Sequence, residues 1–231
     1  MQGLDLGSRM AGAEQLRIVP DIPEHLLEGF LSSKEVAVDT ELQGLRLFRD
    51  EVCLVQLCDR NKTVCLVQPE RKKAPPNLKR LMEQRTTIKV FHFALTDVAF
   101  LRVSLGIQVQ SFRCTKVMSK LIRTYSDAHS LRALVMELMG VELDKEAQTS
   151  NWFTKSPTQM QLRYAANDVL YLLPVYDTLM EMMERRGALP SGSTALELHE
   201  ASQAFLPTLV ELMINGYGDR DFGWETSLFS H

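Results

Sequence analysis

Two carboxylates stand in an otherwise apolar run early in this chain. The run from Val36 to Leu42 opens with three apolar residues, a pattern that indicates a buried strand. Residues two apart in a strand point to the same face, so Asp39 and Glu41 project together while Thr40 points away. Like charges on a buried surface are unfavourable unless a divalent cation lies between them. Mg²⁺ and Mn²⁺ prefer hard oxygen ligands, so the pair favours those ions over zinc.

Two more carboxylates and a phenol occur where packed helices are expected. Tyr164 and Asp168 are one helical turn apart and share a face, and an apolar stretch follows Asp168. Asp97 lies in a similar apolar setting, between Leu95 and Val98. Packing or a solvated helix position explains each residue when it is taken alone. In this order, however, the four carboxylates and the phenol are the equipment of a nuclease that uses two metal ions.

Short strands and helices follow one another as in an α/β fold. Runs separated by turn residues predict an antiparallel meander of three strands, at Val36 to Leu42, Val52 to Leu57 and Val64 to Val67. One more strand is predicted at Ile88 to Phe91. Helices are predicted at Pro23 to Leu31, Pro76 to Gln84, Ala94 to Leu105, Thr115 to Ile122, Ser130 to Met139, Ser156 to about Arg186 and Leu196 to Ile214. Asp21 is the predicted N-cap of the first helix, and Pro174 predicts a kink or break in the long one near Leu170 to Leu173.

Composition limits the classes of protein that remain. The 231 residues suit one domain with a short appendage, and the net charge of −3 gives no general attraction for nucleic acid. No apolar run approaches the roughly 20 residues that span a bilayer. The first residues have no uninterrupted apolar stretch and are not Arg-rich, so we expect a cytoplasmic protein with no membrane partner. The four cysteines lack C-x-x-C spacing, which favours free thiols over a zinc site.

The order of these residues resembles the DEDDy class of 3′–5′ exonucleases. The pattern is Asp39-x-Glu41 on a first strand, Asp97 on a helix after His92-Phe93-Ala94, and Tyr164-x-x-x-Asp168 near the end. Ribonuclease D is the closer match, through the stretches Val52 to Cys58, Leu143 to Trp152 and Gln161 to Leu173. Similarity at Cys114 to Lys116, Arg123 to Leu131 and Leu228 to His231 extends to a short bacterial subgroup, which lacks the C-terminal HRDC domains of longer members.

The resemblance implies a fold and a domain division. The fold is α/β, a ribonuclease H-like mixed sheet in which three antiparallel strands precede parallel strands, flanked by helices. Residues 21–190 would form the exonuclease domain, residues 1–20 an N-terminal arm and residues 191–231 a C-terminal helical extension.

The resemblance also implies the chemistry. Asp39, Glu41, Asp97 and Asp168 would hold two divalent metal ions, Mg²⁺ or Mn²⁺, with Asp39 bridging both. Tyr164 would orient the attacking water. The implied activity is release of nucleoside 5′-monophosphates from the 3′ ends of single-stranded RNA, in RNA processing or turnover.

Other residues are candidates for contact with substrate. Those expected to flank the terminal base are Leu42, Leu45, His92, Phe93 and Phe100, although core packing explains the two phenylalanines better. Those expected to line a phosphate track are Lys116, Lys120, Arg123 and Arg132, although a charge run is more often a solvated face. The departures from the short subgroup, at Leu95-Thr96 and Leu42-Gln43, remove no metal ligand.

Three alternatives stay open at this point. The same site would hydrolyse a DNA backbone, so a 3′–5′ DNA exonuclease is the first. The second is a catalytically silent nucleic-acid-binding module, which would not need the complete set of carboxylates. The third is a scaffold that acts through the apolar stripe of the C-terminal helix, at Phe205, Leu209, Leu212 and Met213. The sequence does not distinguish a monomer from a homo-oligomer.

Overall fold

The computed structural model describes residues 16–143 and 150–217. Predictions that fall on most of the N-terminal arm, on the middle of the stretch from Leu143 to Trp152 and on the motif from Leu228 to His231 lie outside the described residues. The strands are β1 (Ile18–Val19), β2 (Glu35–Leu42), β3 (Val52–Cys58), β4 (Val64–Val67), β5 (Ile88–Phe91) and β6 (Phe112–Cys114). The helices are α1 (Glu24–Ser32), α2 (Pro76–Glu83), α3 (Ala94–Leu105), α4 (Thr115–Ile122), α5 (Leu131–Met139), α6 (Gln159–Leu170), α7 (Leu172–Arg185) and α8 (Ala195–Leu212).

The strands form one mixed sheet with the order β1-β4-β3-β2-β5-β6. The pairs β2–β3 and β3–β4 are antiparallel, whereas β2–β5 and β5–β6 are parallel. This arrangement confirms the predicted meander followed by parallel strands. The sequence did not predict β1 or β6, because two or three residues are too few to show an alternating pattern.

Alternation along β2 divides its side chains between two helical layers. Val36 and Val38 face the main core, which is covered by α1, α2, α3 and α8. Ala37 faces the layer that contains α7. A third cluster, around Leu54 of β3, packs under α6. By the same alternation Asp39 and Glu41 point towards α6 and α7, and Thr40 points towards α3.

The predicted break in the long helix is confirmed. α6 ends at Leu170 and α7 begins at Leu172, with Tyr171 between them. Pro174 therefore lies in the first turn of α7, where its missing N–H has no helical partner to lose. α6 itself begins later than predicted, because Thr158 and Gln161 form a reciprocal capping box that fixes its first turn.

The predicted role of Asp21 is wrong. α1 begins after Pro23 and has no side-chain cap. Asp21 instead accepts the backbone N–H groups of Asn77 and Leu78, each at 2.9 Å, at the start of α2. An acidic side chain there satisfies N–H groups that the helix leaves unpaired. A single residue thus joins the beginnings of two helices that lie far apart in sequence.

Both ends of the described chain contact the sheet. β1 pairs in parallel with β4, and Leu206 and Val210 of α8 belong to the main core. The division into arm, exonuclease domain and C-terminal extension stays a prediction. All four cysteines are free and buried. Across residues 16–143 and 150–217, no helix combines the length and the apolar character needed to cross a membrane.

Candidate active site

The end of β2 and one side of α6 bring three carboxylates together. Asp39 and Glu41 come from β2, and Asp168 comes from α6, which packs over β3 and β4 through Leu162 and Ala165. Each of the three offers a ligand oxygen, and these oxygens all lie within 4.8 Å of one another. That spacing is compatible with three oxygens around one small divalent cation.

Asp97 approaches the same strand from the opposite layer. It lies in the first turn of α3, and its side chain is only 7% exposed. Thr40 Oγ1 donates a hydrogen bond of 2.6 Å to Asp97 Oδ1. Thr40 does point away from Asp39 and Glu41, and it is this orientation that allows it to hold the fourth carboxylate. Asp97 lies outside the three-residue group, but its charge acts on Asp39.

Burial raises the pKa of every carboxyl in this cluster, and the charges of neighbouring carboxylates raise the pKa values of Asp39 and Glu41 further. Burial is the largest cause for Asp39, followed by the charges of its three acidic neighbours, and its pKa lies well above the ordinary range. Burial and the charges of Asp168 and Asp97 raise the pKa of Glu41 to about 9. Burial also raises the pKa of Asp97 to about 7, although hydrogen bonding to Thr40 lowers it. The pKa of Asp168 is likewise raised to about 7, although Tyr164 lowers it.

No basic side chain among the described residues offsets the negative charge of this cluster. No lysine or arginine among the described residues contributes to the shifts of the four carboxyls. Ionising them together without a counter-charge is therefore unfavourable, and a divalent cation would remove the repulsion. The donor set consists of carboxylate oxygens alone, which suits Mg²⁺ or Mn²⁺.

Tyr164 lies one turn before Asp168, and its phenol lowers the pKa of that carboxyl. Burial and the charges of three nearby carboxyls raise the pKa of the phenol, so it stays protonated at neutral pH. The ring also packs against Trp152, with 6.2 Å between the ring centroids. These contacts hold a hydroxyl group, able to donate a proton, beside the carboxylates.

The loop after β2 carries two of the predicted base contacts. Leu42 packs against the main core, whereas Leu45 is 79% exposed. Asp50 closes the loop by accepting from Arg46 N at 2.9 Å and from the Arg49 guanidinium. A Cβ at Gly44 would lie 2.3 Å from Asp50 Oδ2, so the loop needs glycine for close approach.

The other three predicted base contacts are His92 and Phe93, between β5 and α3, and Phe100, within α3. Phe93 has a positive φ of 68° and is 47% exposed, an unusual conformation for a bulky side chain. Lys116 Nζ lies over its ring, 4.1 Å from the centroid. The His92 ring is fixed by a 2.9 Å hydrogen bond between Nδ1 and Thr115 Oγ1. Phe100 is fully buried in the main core, where a base cannot touch it without rearrangement.

The structure separates the basic residues that were candidates for a phosphate track. Arg123 is fully buried and bonds to Ser119, to the Ala128 carbonyl and to Glu137. Arg132 pairs with Glu142. Within the described residues, Lys116 and Lys120 form no ion pair, so they are the members of the set whose charge stays available to an anion.

Sequence reasoning passed over two polar residues of the site. Thr40 was expected to point away, and its contact with Asp97 depends on a packing arrangement that no local pattern shows. Gln56, which lies opposite Asp39 in the sheet, was not among the predicted site residues. Its position, as the single polar residue of an apolar seven-residue strand, was the available signal.

The chain is similar to proteins of known activity. A family model for the 3′–5′ exonuclease matches residues 20–184. Ribonuclease D of Gluconacetobacter diazotrophicus is 30% identical over 174 residues, which cover 74% of this chain and 44% of that protein. The chain thus spans less than half the length of the ribonuclease D relatives it matches.

Solved structures show the same fold. Brucella melitensis NrnC with bound Mg²⁺ is 35% identical, with a TM-score of 0.76 over 88% of this chain and 93% of that one. A structure described as the apo form of the nuclease is 32% identical, with a TM-score of 0.83 over 95% of this chain and 100% of that one. The family's exonucleases need divalent metal ions, and Asp39, Glu41 and Asp168 are a group that could hold one. The chain belongs to the 3′–5′ exonuclease family.

Proposed function

We propose that the protein is a metal-dependent 3′–5′ exoribonuclease that releases nucleoside 5′-monophosphates from single-stranded RNA, in RNA processing or turnover. The observation that carries the proposal is the convergence of Asp39, Glu41 and Asp168 within 4.8 Å, with Asp97 held beside them by Thr40. A protein that only binds nucleic acid would gain nothing from such an unfavourable cluster. The carboxylate cluster lowers the stability of the metal-free protein, and bound cations would offset that loss.

We assign ion binding to the four carboxylates and orientation of the attacking water to Tyr164. Asp39, Glu41 and Asp168 would hold one ion, and Asp39 with Asp97 would hold the second. Bound divalent ions lower the pKa of water and stabilise the charge that develops on a scissile phosphate. Tyr164 would orient the attacking water through its protonated hydroxyl group. The water oxygen bonds to phosphorus as the bond to the 3′ oxygen breaks, and that oxygen takes up a proton.

The proposed substrate contacts lie on both sides of this cluster. Leu45 and Leu42 on the loop after β2, with His92 and Phe93 before α3, would flank the terminal base, since apolar and aromatic faces stack bases of any sequence. Phe100 is buried in the core and would support this surface without touching the base. Lys116 and Lys120 would attract the backbone phosphates.

RNA is the proposed substrate because of the relatives. The matched curated proteins include ribonuclease D, and Brucella melitensis NrnC has been solved bound to pGG. The ion is proposed to be Mg²⁺ or Mn²⁺. We further propose that residues 21–190 form the exonuclease domain, between the arm at 1–20 and the extension at 191–231. The free buried cysteines are consistent with a cytoplasmic location.

The test is digestion of matched single-stranded RNA and DNA, each labelled at the 5′ end, with Mn²⁺, with Mg²⁺ and with EDTA. A ladder that shortens from the 3′ end of the RNA and is absent in EDTA is the expected result. Faster loss of the DNA would move the proposal to a DNA exonuclease. If the folded protein leaves both the RNA and the DNA uncleaved under every condition, nuclease activity would be contradicted.

A further inference from the structure

One buried amide side chain in β3 forms no hydrogen bond that would explain a polar residue at this position. All seven residues of the strand are buried, and six of them are apolar or cysteine. Gln56 is the exception, with 0% of its side chain exposed and no hydrogen-bond partner for either Nε2 or Oε1. A buried amide without partners is unfavourable, whereas an apolar side chain of similar size at this position would not be. The arrangement suggests that the partner of Gln56 forms in another state of the protein.

The sheet register shows which partner is available. Gln56 lies directly opposite Asp39 on β2 and opposite Leu66 on β4. Directly opposed residues of antiparallel strands share a face, with Cβ atoms about 4.5–5.5 Å apart. The neighbours on the same face of β3 are Leu54 and Cys58, and Leu54 and Leu66 pack under α6. Glu41, opposite Leu54, is a diagonal neighbour on the same face, at about 7–8 Å, so Asp39 is the nearer of the two carboxylates to the Gln56 amide.

We propose that Gln56 is a positioning residue for Asp39, whose carboxylate accepts a hydrogen bond from Gln56 Nε2 when divalent ions are bound. This inference rests on the proposed function, since it concerns the same metal ligands. A carboxylate oxygen has two lone pairs, so accepting from the amide leaves the group able to bind a cation. Hydrogen bonds of this kind orient metal ligands, and their loss typically weakens metal affinity by about 10–100-fold.

A matched pair of substitutions separates positioning from structure. Gln203 is also a buried glutamine, 2% exposed, but its Oε1 accepts from Cys114 N at 2.7 Å, and it lies on α8 in the layer opposite α6. Gln56→Leu removes an unpaired amide, whereas Gln203→Leu removes a paired one. We therefore expect the two variants to differ in opposite ways in stability and in metal affinity.

The experiment measures Mn²⁺ affinity by calorimetry without RNA, and melting temperature in EDTA, on the full chain. For Gln56→Leu we expect a melting temperature equal to or above that of the wild type, and a dissociation constant for Mn²⁺ that rises by about 10–100-fold. For Gln203→Leu we expect a lower melting temperature and unchanged Mn²⁺ affinity. Cleavage by Gln56→Leu should recover at high Mn²⁺ concentration, because the ligands themselves are intact.

Two results would overturn the inference. One is wild-type Mn²⁺ affinity in Gln56→Leu. The other is a loss of melting temperature like that of Gln203→Leu without a change in affinity, which would make Gln56 structural. If the leucine variant does not fold, the unbranched Gln56→Met gives the same two readings. Failure of the proposed function looks different, because the wild type itself would then bind no Mn²⁺.

Discussion

Replacing Thr40 by valine removes one hydroxyl group and keeps the shape of the side chain. In the wild type that hydroxyl donates a hydrogen bond of 2.6 Å to Asp97 Oδ1. Asp97 is only 7% exposed, so water cannot easily replace the hydroxyl group. A hydrogen bond to a charged group contributes about 1.5–3 kcal/mol. Asp97 must be ionised to bind a cation, so most of this contribution would be lost from the metal-bound state. Since about 1.4 kcal/mol is a factor of ten, we expect Thr40→Val to weaken Mn²⁺ binding by roughly 10–100-fold at pH 7.

The direction of the pH effect follows from the same contact. Hydrogen bonding to Thr40 lowers the pKa of Asp97, which burial raises to about 7. Without the hydroxyl group the pKa rises further, so more of Asp97 is protonated at neutral pH. The deficit in Mn²⁺ affinity should therefore shrink as the pH is raised towards 9.

Calorimetric titration with Mn²⁺ of the wild type, Thr40→Val and Thr40→Ser, each with Asp97 and with Asp97→Asn, isolates this interaction. Thr40→Ser keeps the hydroxyl group and should bind like the wild type. In the Asp97→Asn background, Thr40→Val should have little further effect. An equal loss in both backgrounds, or wild-type affinity in Thr40→Val, would refute the reasoning.

Three further outcomes are expected. Asp39→Asn should raise the melting temperature of the metal-free protein at pH 8, because it removes one of four mutually repelling carboxyls; a lower value would argue against repulsion. Metal-free wild type should lose stability as the pH rises from about 4 to 9, because Glu41 ionises near its ordinary pKa of 4.5 when unfolded but near 9 when folded. Melting curves should show this decline in EDTA and much less of it in Mn²⁺, whereas a steady rise in EDTA would contradict it. Gly44→Ala should cost about 1–3 kcal/mol, since its Cβ would displace Asp50. It should also raise the KM for RNA more than it lowers kcat, and unchanged denaturant midpoints would show that the loop tolerates a side chain.

Local periodicity is what made the centre of the site predictable. The two-residue repeat of β2 placed Asp39 and Glu41 on one face, and the four-residue spacing on α6 placed Tyr164 beside Asp168. Pro174 likewise marked the break before α7, because a proline cannot lie in a helix interior without loss of a hydrogen bond.

Contacts between distant segments were not predictable in this way. The bond from Thr40 to Asp97 joins residues 57 apart, and the opposition of Gln56 to Asp39 depends on strand register. Asp21 carries a typical N-cap residue type, but the tertiary fold assigns it to α2 rather than to the neighbouring α1. The positive φ of Phe93 also has no sequence signal, since glycine or asparagine is the usual residue in that region.

The most direct test of the account compares cleavage by the wild type and by the single variants Asp39→Asn, Glu41→Gln, Asp97→Asn and Asp168→Asn. Each protein is incubated with 5′-labelled single-stranded RNA and Mn²⁺, and a melting curve confirms that it is folded. The account predicts a ladder from the 3′ end with the wild type and intact RNA with every variant. A folded Asp39→Asn protein that digests the RNA at the wild-type rate would contradict the claim that these carboxylates carry the chemistry.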